Sequence, residues 1–302
     1  MDDGHFLADF SCQESPTFLG NDSEVVDENT SDNNVDIYYD LALQYQHVKI
    51  LIEKEREFGF KKDEDDQSLR NANWFEFKDN RLEAIAWILR NGAAHGFQFR
   101  TAYLSITYFD LFLSKRSFKG DQTTWLRTLS VACLSLAAKM EEQRSPLLSE
   151  YKVEDCIIEW RWINQMELAV LATLEWRLDS ITPFPFIDYF ITILKLNQES
   201  PSDTKYNRIE GFLMYLTQVT NLMQHRPSVL AAAATIMAFE HQLTRAGLEV
   251  KINSIPALKF LEIEEVFSIY RLLQDKEDKP PEISRTKSCP AGSDSARETV
   301  TS

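Results

Sequence analysis

The sequence has few of the residues that break regular secondary structure. Its 302 residues include 9 glycines and 10 prolines, which disfavours all-β folds with many turns and doubly wound folds with glycine-rich loops. The four cysteines show no CxxC spacing and no close pair, so we expect reduced thiols. The N-terminus lacks the basic start and apolar stretch of a signal peptide, and we expect an intracellular protein.

Basic residues and long apolar runs are also scarce. The chain has 32 Lys or Arg against 47 Asp or Glu, a formal charge of -15, and its pI is near 4.8. Binding to a phosphate backbone requires clustered basic side chains. The longest apolar run, Val229–Phe239, is shorter than the roughly 20 residues that a membrane span needs. We therefore expect protein partners, and neither nucleic acid nor a membrane.

Signatures of catalysis are missing as well. The sequence has no phosphate loop, nucleophile elbow or HExxH motif, and its five histidines have no metal-ligand spacing. The acidic run 63–66 could bind magnesium and a diphosphate in an all-helical enzyme. Its lysine and polar neighbours favour a solvated linker instead. We expect no catalytic residue, no metal and no cofactor.

Between about residues 80 and 275, apolar side chains recur at steps of three and four, which is typical of amphipathic helices. One such stripe comprises Leu126, Leu129, Cys133, Leu136 and Met140. After the helix-breaking stretch 181–183 the pattern resumes, so we predict an all-α protein in two halves. Residues 1–40 contain eleven Asp or Glu and no Lys or Arg, and with the polar C-terminal tail they are predicted to be disordered.

Three segments with distinctive residues follow one another in the sequence: 81–89, with Arg81 and Trp87; 101–114, with Asp110; and 129–142, which ends in Ala-Ala-Lys-Met-Glu-Glu. Together they resemble the cyclin box. Met166-Glu167 and Thr182-Pro183 are similar to the fifth helix of the box and to its exit. The amino-acid sequences of these segments resemble those of plant D-type cyclins most.

The resemblance implies a cyclin fold of two stacked five-helix bundles. An extra N-terminal helix would come from residues 39–58, and both ends of the chain would be disordered. The implied domains are an acidic arm, an N-terminal helix with the first box, a second box and a tail: 1–37, 38–180, 181–275 and 276–302.

In that fold, Lys139 and Glu167 would lie together at the surface that receives a helix of a protein kinase. An ammonium group can bind main-chain carbonyls and a carboxylate can bind amides, while Met140 and Leu136 would supply apolar contacts. The alternative is an internal salt bridge between Lys139 and Glu167. Four further residues are expected to be structural, with the first two forming an internal polar link: Arg81, Asp110, Trp87 and Ala137.

The first box helix departs from the family pattern. Many cyclins use it as an apolar docking patch for Arg-x-Leu motifs, in which an acidic residue binds the arginine. Here Glu83 and Ala84 occupy positions where aliphatic residues would lie, and Arg90 is close to the expected acid. We therefore do not expect substrates to dock by this route.

The acidic arm contains a short peptide, 9–14, that resembles the Leu-x-Cys-x-Glu sequence with which D-type cyclins bind retinoblastoma-related proteins. Phe10 replaces the leucine, and Cys12 and Glu14 match. Alternate residues of an extended segment lie on one side, so the three side chains could enter adjacent pockets. The alternative is a solvated tail in which the cysteine has no binding role.

The function implied is that of a regulatory subunit that activates a cyclin-dependent kinase and promotes the G1/S transition. Its expected partners are that kinase, a retinoblastoma-related protein and cyclin-dependent kinase inhibitors. The expected location is the nucleus and the cytoplasm. A second hypothesis is a cyclin-fold scaffold acting in transcription.

Overall fold

The computed structural model describes residues 31–57, 64–116, 122–151, 159–195, 202–220 and 222–278. Contacts divide the chain into two units, Met1–Asp40 and Leu41–Ser302. In the first unit only the start of a helix, from Ser31, is described. The packing reported below belongs to the second unit.

The described residues are all-helical and contain no β-strand, which confirms the predicted fold class. None of these helices combines the length and the apolar composition needed to cross a membrane. The part of the chain that the structure describes has ten α-helices: α1 Ser31–Glu57, α2 Glu64–Ala94, α3 Phe99–Lys115, α4 Gln122–Glu141, α5 Trp160–Thr173, α6 Phe184–Lys195, α7 Ser202–Val219, α8 Pro227–Phe239, α9 Arg245–Ser254 and α10 Ile263–Glu277.

Helices α2 to α5 form the first bundle, in which α3 packs against α2 and α4, and α4 packs against α5. The apolar stripe that the sequence predicts on α4 faces this core, since Leu126, Leu129, Cys133 and Leu136 are all buried. Burial raises the pKa of the Cys133 thiol well above its ordinary value. This cysteine is therefore a small core residue rather than a reactive thiolate.

The second bundle is arranged around α8, which contacts α6, α7 and α10. Every residue of α8 is buried. Five of its residues are alanines, at positions 231–234 and 238, and their small side chains allow the neighbouring helices to approach closely. The longest apolar run of the sequence is thus a core helix.

Side chains from other helices cap both ends of α8. At its N-terminus the Glu55 carboxylate of α1 accepts hydrogen bonds from the Ser228 main-chain N–H, at 3.1 Å, and from the Ser228 hydroxyl. At its C-terminus Lys205 and Arg208 of α7 donate to the Ala238 carbonyl. A negative charge at the N-terminus and positive charges at the C-terminus both suit the helix dipole.

Two helix boundaries differ from the sequence prediction. Helix α1 begins at Ser31 rather than near Tyr39. Helix α2 begins at Glu64, so residues 64–66 form its first turn and are not a linker. Acidic residues suit the first turn of a helix because its N-terminus carries partial positive charge, and we did not take this into account. Residues 58–63, 1–30 and 279–302 lie outside the described residues, and the predicted domain boundaries stay a prediction.

Candidate functional site

Lys139 and Glu167 meet where α4 packs against α5. The Lys139 Nζ lies 2.6 Å from Glu167 Oε1. Lys139 is in the last turn of α4, where a cation suits the helix dipole. Glu167 follows Ile163 by four residues on the buried side of α5. The two residues that the sequence singled out are therefore an ion pair in the chain alone.

The two partners differ strongly in exposure. The Lys139 side chain is 45% exposed, whereas that of Glu167 is 7% exposed. A lysine ammonium has three donors, and Glu167 accepts from one of them. The pair can thus stabilise the packing of α4 on α5 and still present an ammonium group to a partner.

Large apolar side chains are exposed close to this pair in the sequence, on both helices and just beyond their ends. Met140, which follows Lys139, is 50% exposed, and Leu168, which follows Glu167, is 52% exposed. Leu147, beyond the end of α4, and Trp176, beyond the end of α5, are exposed as well. Several large apolar residues exposed on one part of a surface indicate an interaction site. We call Lys139, Glu167, Met140, Leu147 and Leu168 the α4–α5 surface.

Leu136 does not belong to this surface. Its side chain is 4% exposed and packs in the core of the first bundle. The position one turn before Met140 on α4 faces inward, so we withdraw the predicted partner contact of Leu136. Leu147 and Leu168 were not selected from the sequence, although the polar neighbours of Leu168 on α5 are a signal of an outward-facing position.

Helix α5 ends in an uncommon conformation. Glu175 and Trp176 both have positive φ, at 55° and 61°. The Trp176 N–H donates to the Leu171 carbonyl and the Glu175 N–H to the Ala172 carbonyl, which is the Schellman pattern. Glycine usually occupies the position of Glu175 in this pattern. The outcome is a helix end that holds the Trp176 side chain in the solvent.

Arg81 and Asp110 form a buried ion pair. The Arg81 Nε and Nη2 donate to the two Asp110 oxygens at 2.7 and 2.6 Å. The Arg81 Nη1 also donates to the Thr217 carbonyl of α7 at 2.7 Å. Arg81 therefore connects α2 and α3 of the first bundle with α7 of the second, a contact that we did not predict. Trp87 and Ala137 are buried in the core.

Glu142, the last residue of the Ala-Ala-Lys-Met-Glu-Glu segment, has an internal role. Its Oε1 accepts from the Gln98 main-chain N–H at 3.1 Å and from the Thr101 hydroxyl at 2.5 Å. Gln98 is the N-cap of α3 and has no side-chain cap of its own. Glu142 thus supplies the cap from the end of α4.

The outer face of α2 carries charge where many cyclins have an apolar docking patch. Glu83 accepts from Arg127 of α4 at 3.2 Å, and both side chains are partly or largely exposed. Ala84 is buried. Among the described residues no three His, Cys, Asp or Glu side chains come together as a metal site. The peptide residues Phe10, Cys12 and Glu14 lie outside the described residues.

Comparison with known proteins gives a matching family model, related proteins and a similar solved structure. The family model described as "Cyclin, N-terminal domain" matches residues 48–179. Cyclin-D5-1 of Arabidopsis thaliana is 39% identical over 232 residues, which cover 72% of each chain. Cyclin-D5-1 of Oryza sativa subsp. japonica is 36% identical, covering 69% of this chain and 57% of that protein. Cyclin-D3-1 of Arabidopsis thaliana is 35% identical, covering 70% and 56%.

Among solved structures, a viral cyclin from herpesvirus saimiri has a similar fold. The TM-score is 0.53 with 16% sequence identity, and the match covers 66% of this chain and 84% of the viral protein. This likeness shows that the chain has the fold of that protein. The match of the family model to residues 48–179 includes every residue of the α4–α5 surface.

Proposed function

The chain belongs to the cyclin family, and its relatives place it among the plant D-type cyclins; from this membership we propose that it binds and activates a cyclin-dependent protein kinase. Cyclins are regulatory subunits, so the role is regulatory and not catalytic. The more specific proposal is that the complex promotes the G1/S transition, in the nucleus and the cytoplasm.

The observation that carries the kinase contact is the α4–α5 surface. It combines a half-exposed ammonium group, a carboxylate that holds it in place and three exposed apolar side chains. A helix of the kinase can bury its apolar side against Met140, Leu147 and Leu168. Lys139 would then donate to main-chain carbonyls at the end of that helix, since these groups have no partner within the helix.

In this proposal the chain supplies no side chain to the phosphoryl transfer. Kinase activity requires the kinase's own lysine and glutamate to form an ion pair, and the position of one helix controls that pair. A cyclin that binds the active position of this helix more tightly than the inactive position stabilises the active one. The gain equals the difference between the two binding free energies. The α4–α5 surface would therefore act through binding alone.

We also propose that the N-terminal peptide recruits a retinoblastoma-related protein. The support is the spacing of Phe10, Cys12 and Glu14 in an acidic segment that precedes the box. A receptor with adjacent pockets can bind alternate side chains of such a peptide while its backbone adds a strand. Recruitment would then bring one substrate to the kinase independently of the α2 face, where Glu83 and Arg127 are paired.

Copurification tests the kinase partner. The tagged chain is isolated from plant cell extract, and the bound proteins are identified by mass spectrometry. We expect a cyclin-dependent kinase to be recovered with the wild type and to be depleted with Lys139→Glu. The wild type and the variant should recover the retinoblastoma-related protein equally. Recovery of RNA-polymerase-associated factors in place of a cell-cycle kinase would favour the transcription scaffold.

A further inference from the structure

The segment that follows α4 contains a serine followed by proline, Ser145-Pro146. Residues 142–147 are irregular and connect α4 to a short 3-10 helix, Leu148–Glu150. From Gln143 to Leu147, no main-chain N–H donates to a main-chain carbonyl of the described residues. Gln143, Arg144 and Leu147 are exposed, and Ser145 is partly exposed. The segment can therefore extend into the cleft of another protein without loss of regular structure.

Ser145 lies along the chain within the α4–α5 surface, six residues after Lys139 and two residues before Leu147. Burial raises the pKa of Tyr151 to about 12; the nearby hydroxyls of Ser135 and Ser145 lower this pKa, and the Glu167 carboxylate raises it. The hydroxyls of Ser135 and Ser145 and the Glu167 carboxylate thus all act on the Tyr151 hydroxyl. Both Tyr151 and Ser135 are buried, and neither hydroxyl makes a hydrogen bond of good geometry to another described residue.

We propose that Ser145 is a phosphorylation site for a kinase that selects serine before proline, and that its phosphate weakens kinase binding at the α4–α5 surface. In the reaction, the Ser145 Oγ attacks the γ-phosphorus of ATP and forms the ester bond. The bond from that phosphorus to the β-phosphate oxygen breaks, ADP leaves, and the hydroxyl proton passes to a base of the modifying kinase. This inference rests on the proposed function, because it regulates the same surface.

The phosphate changes the surface through its charge. It adds about -1.5 to -2 charges and three strong acceptors beside the hydroxyls of Tyr151 and Ser135, which need acceptors. In this proposal the phosphate, six residues beyond Lys139 in the chain, competes with Glu167 for the Lys139 ammonium. An ammonium group drawn to the phosphate is no longer available to a partner helix, and like charge repels the carboxylates of the kinase.

The chain contains a matched control for the modification, Thr182-Pro183. Pro183 is buried, and its carbonyl accepts from the Phe186 N–H in the first turn of α6. Thr182 is partly exposed, as Ser145 is, but the buried Pro183 would have to leave its place before α6 to enter the cleft of a kinase. We therefore expect Ser145 to be modified and Thr182 to remain unmodified under the same conditions.

The experiment uses the full chain with ATP, Mg²⁺ and a purified kinase that is selective for serine before proline. Mass spectrometry maps the phosphates on the wild type, Ser145→Ala and Pro146→Ala. The affinity of a purified cyclin-dependent kinase is then measured for each form, and for Ser145→Glu beside the neutral Ser145→Gln. Thermal melting of every form excludes loss of fold as the cause.

We expect phosphate on Ser145 that both Ser145→Ala and Pro146→Ala lack. The phosphorylated chain and Ser145→Glu should bind the kinase about tenfold or more weakly, and Ser145→Gln should bind like the wild type. Absence of phosphate on Ser145, or equal affinity with and without it, would overturn the inference and leave the proposed function intact. If the unmodified chain binds no cyclin-dependent kinase, the proposed function fails and the inference fails with it.

Discussion

Charge reversal of Lys139 separates the contributions of its ion pair to stability and to kinase binding. In the chain alone Lys139 contacts Glu167 at 2.6 Å, and its side chain is 45% exposed. Because Glu167 is buried, loss of its partner leaves a buried carboxylate unpaired, which lowers the free energy of unfolding by about 1 to 3 kcal/mol, more than the loss of an exposed pair. For a domain of this size, a loss of about 1 kcal/mol lowers Tm by about 2–4 °C. Lys139→Glu should therefore remain folded.

The effect on kinase binding should be much larger. If Lys139 donates to the kinase, the variant leaves the partner's groups buried without a matching charge or hydrogen bond, which costs about 2 to 5 kcal/mol. At about 1.4 kcal/mol per factor of ten, association becomes roughly 30- to 5000-fold weaker. Stability is measured by Tm and binding by the affinity of the folded variant, so a single variant can distinguish the two effects.

Glu167→Lys is a harsher change than Lys139→Glu. The Glu167 side chain is 7% exposed, so the variant would bury a second ammonium group beside Lys139. We expect a larger loss of Tm than for Lys139→Glu. The double variant Lys139→Glu with Glu167→Lys restores opposite charges and should recover part of this Tm without recovering kinase affinity.

Melting and a kinase-binding titration are measured on each variant. Arg245→Glu is the matched control, since Arg245 also pairs with a glutamate, Glu264, and both side chains are largely exposed. Arg245→Glu should lower neither Tm nor kinase affinity appreciably. If Lys139→Glu lowers Tm strongly and the double variant restores Tm together with kinase affinity, the pair is an internal salt bridge only, and our reasoning about the contact is refuted.

Three further predictions concern other contacts. Asp110→Asn leaves the buried Arg81 charge unpaired, so the free energy of unfolding in urea should fall by about 3–5 kcal/mol; a loss below about 1 kcal/mol would contradict a linking role. Burial raises the pKa of Glu55 above its ordinary value of 4.5, so the folded chain holds this proton more tightly than the unfolded chain; stability should fall as pH rises through the raised pKa, and Glu55→Gln should remove this part of the pH dependence in melting measured from about pH 4 to 7. Replacing Cys12 and Glu14 with alanine should abolish binding to a retinoblastoma-related protein in a pull-down and leave kinase activation unchanged, whereas unchanged binding would leave the peptide without that role.

Helical periodicity predicted the core well because burial repeats with the geometry of the helix. The α4 stripe from Leu126 to Leu136 is buried as its three- and four-residue steps require. Leu136 belongs to the same stripe. Because it lies on the buried side of α4, it is not exposed for contact with a partner. Met140, one turn later, lies beyond the core at the end of α4 and is exposed.

Contacts between distant helices were the part that the sequence did not predict. Glu142 caps α3 across 44 residues, Arg81 reaches the Thr217 carbonyl across 136 residues, and Glu55 reaches Ser228 across 173 residues. Each of these contacts satisfies a helix terminus with a side chain from another helix. Local spacing carries no information about which helix will supply the cap, and so only the packed structure identifies it.

The α4–α5 surface could be predicted in part. The resemblance indicated Lys139, Glu167 and Met140, and the structure brings the first two together. Leu147 lies in an irregular segment without periodicity, and Trp176 is exposed because two residues with positive φ end α5. The exposure of Leu147 could therefore not be predicted from a helical pattern. The end of α5 could not be predicted either, since the residues at positive φ are Glu and Trp rather than glycine.

Reconstituted kinase activity tests the central claim most directly. A purified cyclin-dependent kinase is titrated with the full chain, and phosphate transfer from ATP to a peptide substrate is measured. We predict that activity is near background without the chain, rises to saturation at one chain per kinase, and stays near background with folded Lys139→Glu at the same concentrations. Activity that does not respond to the wild-type chain, or that rises equally with Lys139→Glu, would contradict the account.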